Sequence, residues 1–385
     1  MTTPRFRDWI ESLPEQGMVE IAALAARMDD VIPLWYGESD LPTPAFIRHA
    51  AIAALADNQT FYPPMSGIAP LREAIAGYLN SLYRTDLPSQ RICVTPSGMQ
   101  AMWLAFAALL EPGDKVVVLA PVWPNIPGAI HLAGGRTVFI PMDSADGWSL
   151  DLGRLEEALK SGVRALFIAS PNNPNGWIMS ADEQRQVLEI CRRHQVWLVA
   201  DDVYGRLSFE SDPAPAFIRQ AREDDRIIVI NSFSKAWAMT GWRIGWLVHP
   251  PGRERLFEHL SLYANSGTAT FVQYGALAAL KDGEPAVTEM RAHCRRGRDI
   301  VCPALEAFPR VRLPERPRGA LYVFFEVDGM TDSRAFSRDL LQKTGVGLAP
   351  GGNFGPGFDS FLRLSCCLDG QKLAEAMDRL APALG

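Results

Sequence analysis

Polar residues that could carry out chemistry follow several apolar segments of the chain. Four motifs of this kind each begin where an apolar run ends: TPSGMQA (95–101), SPNNPNG (170–176), ADDVYG (200–205) and NSFSKAWAMTGWRIGW (231–246). Taken alone, each has a simpler interpretation. In the same order, the simpler interpretations are an ordinary strand–helix junction, an Asx or proline turn, an aspartate that caps the next helix, and a lysine whose amine reaches solvent. The four motifs must therefore be judged together.

Together, the motifs contain the groups that a phosphorylated cofactor needs. A Ser-Gly turn before a helix exposes backbone N–H groups that bind phosphate well. Asp201 ends an apolar run, where a buried carboxylate is costly unless it is paired. Lys235 lies among small and aromatic residues, where a lysine is costly unless its amine is neutral or covalently linked. A phosphate cradle, an asparagine, a buried carboxylate and a lysine at one sheet edge are what a pyridoxal phosphate site requires.

A predicted sheet positions these groups. Its candidate strands are residues 91–95, 115–120, 136–140, 164–169, 196–200, 226–230 and 243–248. They are apolar almost throughout, which favours a mostly parallel sheet covered on both faces. Helical patterns lie between most of them, and Ser180 with Glu183 forms a capping-box start. The prediction is an α/β fold with a three-layer domain, about seven strands, and ligands bound beyond the carboxyl ends of the strands.

A second region follows the predicted sheet. Residues 284–308 have the pattern of a long amphipathic helix, with a bend or end expected at Pro303. A strand at 319–327, a helix near 332–344 and a strand at 361–365 follow, which indicates a smaller α+β domain. The predicted organisation is an N-terminal segment (1–45) that packs with the small domain, a large pyridoxal-phosphate-binding domain (46–284) and a small C-terminal domain (285–385).

The four motifs resemble those of the class I and II aminotransferases, which are fold-type I pyridoxal-phosphate enzymes. The resemblance covers about Leu34 to Ser365, and its most specific segment is SFSKAWAMTGWRIGW (232–246). It implies that Lys235 is the Schiff-base lysine, which also moves the proton between Cα and C4′. It implies that Asp201 pairs with the pyridinium nitrogen. At about 4 Å and an effective dielectric constant near 20, that pair is worth roughly 4 kcal/mol, enough to keep the ring protonated.

The resemblance also assigns the remaining cofactor contacts. Tyr204 and Asn173 resemble the pair that hydrogen-bonds the 3′-oxygen of the ring. The residues implied for the phosphate are Ser97, Gly98, Met99, Ser232 and Arg243. Tyr62 in YPPMSG (62–67) matches a tyrosine that reaches the phosphate of the other subunit, which implies a homodimer with shared active sites. Trp123 matches an aromatic residue that stacks on the ring, and it also fits a core position.

Substrate contacts follow from the same resemblance. Arg363 in FLRLS resembles the arginine that clamps the substrate α-carboxylate, a task that suits its planar fork. Gly37 matches a glycine whose backbone helps to enclose the substrate, and Asn173 belongs to the same subsite. The implied reaction is a ping-pong exchange of an amino group between an amino acid and a 2-oxo acid. The motifs fit a β-eliminating lyase or a decarboxylase on the same scaffold as an alternative, because these enzymes use the same lysine and aspartate.

Two positions bear on which amino acid is preferred. Members that act on acidic substrates need a cation for the distal carboxylate, and in some bacterial relatives this is a lysine at the position of Met99. Others use an arginine of the partner subunit in the segment that matches Leu260–Gln273, which here contains neither Lys nor Arg. A desolvated carboxylate without a partner is disfavoured. We therefore expect a neutral or aromatic side chain rather than aspartate. Trp35 and Tyr36 fit such a pocket, and they fit a core equally well.

Composition restricts the remaining function classes. The chain has 385 residues, 48% of them hydrophobic, and a formal net charge of −6, so it is neither disordered nor a general nucleic-acid binder. Its six cysteines have no metal-ligand spacing, and a chain of this length needs no disulfides, which favours reduced thiols in the cytoplasm and no metal site. We expect neither nucleic acid nor membrane as a partner. An effector-binding regulator would carry a further DNA-binding domain, and a dinucleotide oxidoreductase would carry a glycine fingerprint after the first strand.

Overall fold

A computed structural model describes residues 5, 6, 8–11 and 17–385. The strands are β1 (Ile32–Pro33), β2 (Ile92–Thr95), β3 (Lys115–Ala120), β4 (Arg136–Pro141), β5 (Val163–Ala169), β6 (Trp197–Asp201), β7 (Ile227–Ser232), β8 (Gly245–Val248), β9 (Val311–Arg312), β10 (Tyr322–Val327), β11 (Val346–Gly347), β12 (Ala349–Pro350) and β13 (Phe361–Ser365). Most of the longer strands are buried on both faces, as their apolar sequences require.

The helices cover the sheets and connect their strands. They are α1 (Asp8–Glu11), α2 (Gly17–Ala25), α3 (Ala45–Ala56), α4 (Ala69–Tyr83), α5 (Gly98–Leu109), α6 (Asn125–Leu132), α7 (Leu152–Leu159), α8 (Ala181–His194), α9 (Phe217–Gln220), α10 (Glu254–Ala264), α11 (Thr270–Asp282), α12 (Glu284–Glu306), α13 (Ser333–Thr344) and α14 (Gly370–Leu384). Helix α8 begins with the predicted capping box, in which the Ser180 hydroxyl accepts from the Glu183 N–H and the Glu183 carboxylate accepts from the Ser180 N–H.

A seven-stranded sheet positions the motifs identified in the sequence. Its order is β2-β8-β7-β6-β5-β3-β4, and β8 is the strand that runs antiparallel to both of its neighbours. The carboxyl ends of β2, β5, β6 and β7 consequently lie at one edge, where the polar motifs follow. This confirms the predicted α/β fold with a mostly parallel sheet of seven strands.

The C-terminal residues form a second sheet with its own apolar core. Its order is β12-β13-β10-β9, and β13 lies antiparallel to β10. The N-terminal segment joins this part of the chain, because β1 pairs in parallel with β11 and the Ser365 N–H donates to the Leu34 carbonyl. Ile32 and Leu34 are buried with Leu362 and Leu364 in one apolar cluster. Strand β13 of this second sheet lies beside the edge of the large sheet, because Arg363 on β13 contacts Asn173, which follows β5.

Several predicted boundaries are wrong by a few residues. The predicted strand at 243–248 begins at Gly245, because Arg243 has a left-handed backbone with a φ of 52°. The predicted strand at 319–327 begins at Tyr322. Helix α12 ends at Glu306 rather than at residue 308, and Pro303 lies within its last turn instead of ending it. Among the described residues, every helix is too short or too polar to cross a membrane.

Candidate active site

A site suited to an anion lies where β2 turns into α5. Gly98 is the first residue of α5, and the Ser97 hydroxyl caps this helix by accepting the Gln100 N–H at 2.9 Å. A Cβ on Gly245 would lie 2.6 Å from the Gly98 nitrogen, so β8 can approach this turn closely only because residue 245 is glycine. The N-terminus of a twelve-residue helix is thereby enclosed by backbone, and such N-termini bind anions.

Ser232 and Arg243 add a hydroxyl and a cation to this turn. The Ser232 hydroxyl lies 2.8 Å from the Ser234 hydroxyl and 3.1 Å from the Ile244 carbonyl oxygen. A Cβ on Gly98 would lie 3.2 Å from the Ser232 Cβ, which places the two residues side by side. Arg243 Nη1 donates to the Thr240 carbonyl at 2.7 Å. A helix N-terminus, a hydroxyl and a guanidinium around one space are the donors that a phosphate group requires.

The amine of Lys235 lies in the same cavity and donates to the Gly37 carbonyl oxygen at 2.6 Å. Burial lowers the pKa of Lys235 from its ordinary value of 10.5 to about 8. The Glu38 carboxylate opposes this pKa shift, whereas the charges of Arg363 and Arg243 add to it. A shift of this size favours the neutral amine roughly 300-fold at a given pH. The neutral amine is the form that attacks a carbonyl carbon.

Asp201 ends β6 and is 9% exposed. Its Oδ1 accepts the Val203 N–H at 3.1 Å. Burial raises the pKa of Asp201 to about 6, because this one backbone bond and the charge of Lys235 offset only part of the lost hydration. A cation placed beside this carboxyl would stabilise its ionised form. The site therefore contains a buried carboxyl that favours a positively charged partner.

Tyr204 pairs with a residue that the sequence analysis did not identify. Its hydroxyl lies 2.8 Å from the Tyr322 hydroxyl, and the two rings meet edge to face with centroids 5.8 Å apart. Burial raises the pKa of both phenols, so both remain protonated at neutral pH. The Tyr322 hydroxyl also lies against the backbone of Gly37, where a Cβ would clash with it. The two tyrosines thus link β10 of the second sheet to the edge of the large sheet.

Arg363 is a buried cation held by neutral groups. Its Nη1 donates to the Asn173 Oδ1 at 3.0 Å, and its Nη2 donates to the Trp35 carbonyl oxygen. Nη2 also lies 3.6 Å from the Met18 sulfur, and the guanidinium stacks 4.3 Å from the Tyr322 ring centroid. Nε is buried with no hydrogen-bond partner among the described residues. A positive charge that is 2% exposed and surrounded by neutral acceptors is suited to binding an anionic group of a ligand.

A cavity of about 440 Å³ connects these groups at the carboxyl edge of the large sheet. Every site residue predicted above lines it except Ser97 and Tyr62. Ser97 lies at the edge as the helix cap described above. Tyr62 is 88% exposed and lies outside the cavity within this chain. The geometry therefore brings eleven of the thirteen predicted site residues to one place, even though they come from distant parts of the chain.

Comparison with known proteins identifies the family. The profile described as "Aminotransferase class I and II" matches residues 29–380, which is nearly the whole chain. The chain is a class I and II aminotransferase. The cofactor of this family is pyridoxal 5′-phosphate, so the family expected from the sequence and its coenzyme are both confirmed.

Relatives of this aminotransferase differ in the substrates that their names give. An aspartate aminotransferase of Pyrococcus horikoshii is 33% identical over 95% of this chain and 93% of that protein. Aromatic-amino-acid aminotransferase 2 of Thermococcus litoralis is 30% identical over 98% of this chain and 97% of that protein. The solved structure of Thermus thermophilus aspartate aminotransferase with maleate matches at a TM-score of 0.92 and 30% identity, covering 99% of this chain and 100% of that chain. These similarities support aminotransferase activity and leave the substrate open.

The residues of this aminotransferase fit pyridoxal 5′-phosphate. Glycine at position 245 lets β8 pack against the turn at Ser97 and Gly98, where a helix N-terminus, the Ser232 hydroxyl and the Arg243 guanidinium would hold the phosphate group. Lys235 offers a low-pKa amine, and Asp201 offers a buried carboxyl whose pKa stays raised despite the charge of Lys235, so a closer cation would stabilise its ionised form. When bound, the coenzyme supplies an aldehyde that links to amines and a ring that withdraws electrons from the substrate.

Several residues of the cavity wall were not predicted from the sequence, and Tyr322, Met18 and Val19 are examples. Tyr322 was assigned only to an apolar strand, where a tyrosine usually belongs to the core. Met18 and Val19 of α2 also line the cavity, although no site role was predicted for any residue before Trp35. Nothing in the sequence indicated that Met18 contacts Arg363, which lies 345 positions away.

The pKa of Asp201 gives a testable pH dependence. In the coenzyme-free enzyme, we expect Asp201→Asn to become more stable relative to the natural protein as the pH rises from about 4 to about 6. The folded pKa is about 6 and the ordinary value is 3.8, so the stability that the protonated carboxyl provides is full below 3.8 and is lost as the pH rises through 6. Over the whole transition the expected change approaches about 3 kcal/mol, and roughly 2 kcal/mol of it falls between pH 4.5 and 7.5.

Urea unfolding of both proteins at pH 4.5, 6 and 7.5 measures this difference. The exposed Asp86→Asn variant is the control and should show no comparable trend. Saturation with coenzyme should remove the advantage of asparagine, because the ring cation would then stabilise the ionised carboxylate. A stability difference that is the same at all three pH values would contradict the assignment of the shifted pKa to Asp201.

Proposed function

We propose that this enzyme transfers the amino group of a neutral or aromatic amino acid to a 2-oxo acid, with Lys235 as the residue that links to the coenzyme. The observation that carries this proposal is the Lys235 amine, which projects into the cavity that Asp201 and Arg363 also line. Its lowered pKa of about 8 makes a larger fraction of the amine neutral, and therefore nucleophilic, near neutral pH than an ordinary lysine has. Once released from the coenzyme, the same amine would carry the proton removed from the substrate Cα.

The other coenzyme contacts follow from the chemistry of each group. Asp201 would pair with the ring nitrogen, which satisfies the carboxylate and keeps the ring positively charged. The hydroxyls and N–H groups of Ser97, Gly98, Met99 and Ser232 and the guanidinium of Arg243 would bind the phosphate. Tyr204 and the Asn173 amide would hydrogen-bond the ring oxygen, and Trp123 would stack on the ring face.

The α-carboxylate of the substrate would bind to Arg363. The Asn173 side chain already orients Nη1, and the unpartnered Nε leaves a donor for a carboxylate oxygen. The carbonyl of Gly37 would face the amino end of the substrate, because it already accepts a hydrogen bond from the Lys235 amine. These contacts orient the Cα–H bond relative to Lys235 and exclude water from one side of the cavity.

The preference for a neutral side chain rests on the charges of the cavity. Among the described residues that line it, the cations are Lys235, Arg243 and Arg363, and each has a role above. The remaining wall includes Met18, Met99, Met102, Trp123 and Ile126, all of which are apolar. A second carboxylate would therefore be desolvated without a partner. An aromatic or aliphatic side chain would instead bury apolar surface there.

Single-turnover half-reactions test this preference. We expect phenylalanine, tyrosine or leucine to convert the coenzyme-loaded enzyme faster than aspartate does, measured by the change in coenzyme absorbance. Met99→Lys should raise kcat/KM for aspartate by about 10-fold or more and lower it for phenylalanine, because the lysine supplies a cation for the second carboxylate. The control is Leu132→Lys, because Leu132 is exposed. Met239→Lys would be a poor control, because Met239 is fully buried. The proposed preference would be contradicted if aspartate were the fastest substrate of the natural enzyme. If the enzyme released ammonia or CO₂ when no 2-oxo acid was present, the alternative lyase or decarboxylase would be favoured.

The proposal includes a homodimer in which the partner subunit completes the phosphate site. Tyr62 and its neighbour Phe61 are 88% and 81% exposed, and Tyr263 is 84% exposed. Three aromatic side chains this exposed are unusual on the surface of a monomer, and they favour a protein–protein interface. Tyr62 of a second copy would reach the phosphate that this chain binds. The mass of the particle in solution, one chain or two, tests this part of the proposal.

The domain boundaries and the compartment also belong to the proposal. Residues 1–45 and 285–385 would form one small domain, since β1 pairs with β11, and residues 46–284 would form the large domain. The apolar cluster around Leu34, Leu362 and Leu380 is separate from the clusters of the large sheet. All six cysteines are free and buried, which suits a reducing compartment such as the cytoplasm.

A further inference from the structure

The segment 37–41 lies between β1 and α3 and has no regular secondary structure, and its first residue, Gly37, lines the active-site cavity. At one end, Gly37 accepts the hydrogen bond from Lys235 and packs against the Tyr322 hydroxyl. In the middle, the Glu38 carboxylate accepts the Thr240 hydroxyl at 3.1 Å. A segment of this kind needs side-chain anchors to keep its carbonyl groups in place, because no sheet ladder fixes them.

Asp40 provides such an anchor through both of its carboxylate oxygens. Oδ1 lies 2.9 Å from Nε2 of His293, and Oδ2 accepts the backbone N–H of Asp369 at 2.7 Å. A carboxylate can only accept, so Nε2 of His293 carries the proton in this pair. The side chain of His293 is 11% exposed and that of Asp40 is 32% exposed. Hydrogen bonds to a charged group that is partly shielded from water are stronger than ordinary ones.

The two partners of Asp40 belong to the part of the chain that carries Arg363. His293 lies on α12, and Asp369 caps α14 by accepting the N–H groups of Gln371 and Lys372. Only four residues separate the end of β13 from Gly370, so the start of α14 is directly connected to the strand that holds Arg363. Asp40 does not line the cavity itself. It connects the segment that contacts Lys235 to the helices behind Arg363.

We propose that Asp40 is a positioning residue, which sets the distance between the Gly37 carbonyl and Arg363 and thereby controls how tightly the substrate binds. This inference rests on the proposed roles of Lys235, Gly37 and Arg363. Loss of the Asp40 carboxylate releases the segment from α12 and α14 while the phosphate cradle keeps its contacts. Substrate affinity is therefore reduced, and both the chemical step and coenzyme binding are retained.

Steady-state kinetics of the coenzyme-loaded enzyme test the proposal. Asp40→Ala raises KM for the amino acid and for the 2-oxo acid by about 10-fold and changes kcat by less than about 3-fold. Asp40→Asn has an intermediate effect, because its amide oxygen still accepts from His293 while its NH₂ group cannot accept the Asp369 N–H. His293→Gln retains a donor and raises KM about 2-fold. The dissociation constant of the coenzyme, measured by absorbance, stays within about 2-fold of the natural value in all three.

The matched control is His194→Gln. His194 lies on α8, and its Nε2 is 3.1 Å from the carboxylate of Glu156 on α7. Neither residue lines the cavity. This variant leaves KM unchanged. The proposal is overturned if Asp40→Ala and Asp40→Asn keep the natural KM, or if KM, kcat and coenzyme affinity all worsen in step with a lowered melting temperature. An active Lys235→Ala enzyme would instead contradict the proposed function, so the two failures are distinguishable.

Discussion

Lys235→Ala should abolish transamination, with a loss of at least about 10⁴-fold in kcat/KM. Alanine removes both the amine that links to the coenzyme and the base that moves the proton from the substrate Cα, and general acid–base catalysis alone contributes up to about 10⁴-fold. The lowered pKa of about 8 makes Lys235 suited to both tasks near neutral pH. Lys235→Arg should be equally inactive, because a guanidinium keeps the charge but does not give up its proton.

Hydride reduction followed by peptide mass analysis provides a direct measurement. The natural enzyme should carry the mass of the coenzyme on the peptide that contains residue 235, and Lys235→Ala should carry none. Lys281→Ala is the control, because Lys281 is exposed at the end of α11. Coenzyme found on another lysine, or turnover in Lys235→Ala above about one hundredth of the natural rate, would contradict the assignment of Lys235.

Much of the fold could be predicted because the strands have a strong local signal. Residues 115–120 and 361–365 were predicted as strands with the bounds that β3 and β13 have in the structure. Apolar runs of five or six residues between helical patterns have few other interpretations in a chain of this length. The position of the site then followed from topology, because parallel strands bring their carboxyl ends to one edge. The strand order and the direction of β8 could not be obtained this way, since both depend on contacts between distant segments.

The residues that were missed have roles set by distant neighbours. Tyr322 lies in an apolar strand, and its importance comes from Tyr204, which is 118 positions away in the chain. Asp40 lies 253 positions from His293, and no role was predicted for it from the sequence. Local patterns report how a residue suits its own helix or strand, and they contain no information on which groups the fold places opposite it. Ser97 remains a predicted phosphate ligand, although its hydroxyl is already used as the cap of α5.

The active site contains charges that the protein itself does not neutralise. The pKa of Asp201 is raised, and the pKa values of Lys235 and Arg363 are lowered, in each case first by burial. An isolated buried charge reduces the stability of the fold, so each of these groups gains when a ligand of opposite charge binds. Coenzyme and substrate are therefore expected to stabilise the enzyme as well as to react in it. Arg363 is the clearest case, because its hydrogen-bond acceptors are all neutral.

Arg363→Leu should lower kcat/KM for amino acids by about 10²- to 10³-fold, mainly through KM, without reducing the stability of the fold. The carboxylate of the substrate would lose a buried, charge-assisted pair, whose truncation typically costs about 2–5 kcal/mol. Leucine leaves no uncompensated charge next to Tyr322 and Phe354, so thermal unfolding should stay at or above the natural temperature. Arg363→Lys should be less impaired, because it keeps the charge and loses the planar fork.

A substrate that lacks the carboxylate separates binding from structure in this variant. A simple primary amine such as phenethylamine should react slowly with the natural enzyme and at nearly the same rate with Arg363→Leu, because it has no carboxylate for the guanidinium to bind. The exposed Arg316→Leu variant is the control and should retain natural kinetics with both substrates. If Arg363→Leu loses activity toward the amine and the amino acid to the same extent, Arg363 shapes the cavity rather than binding the carboxylate. If Arg363→Leu loses activity only toward the amino acid, the bond between the guanidinium and the carboxylate is what makes the enzyme prefer amino acids to other amines.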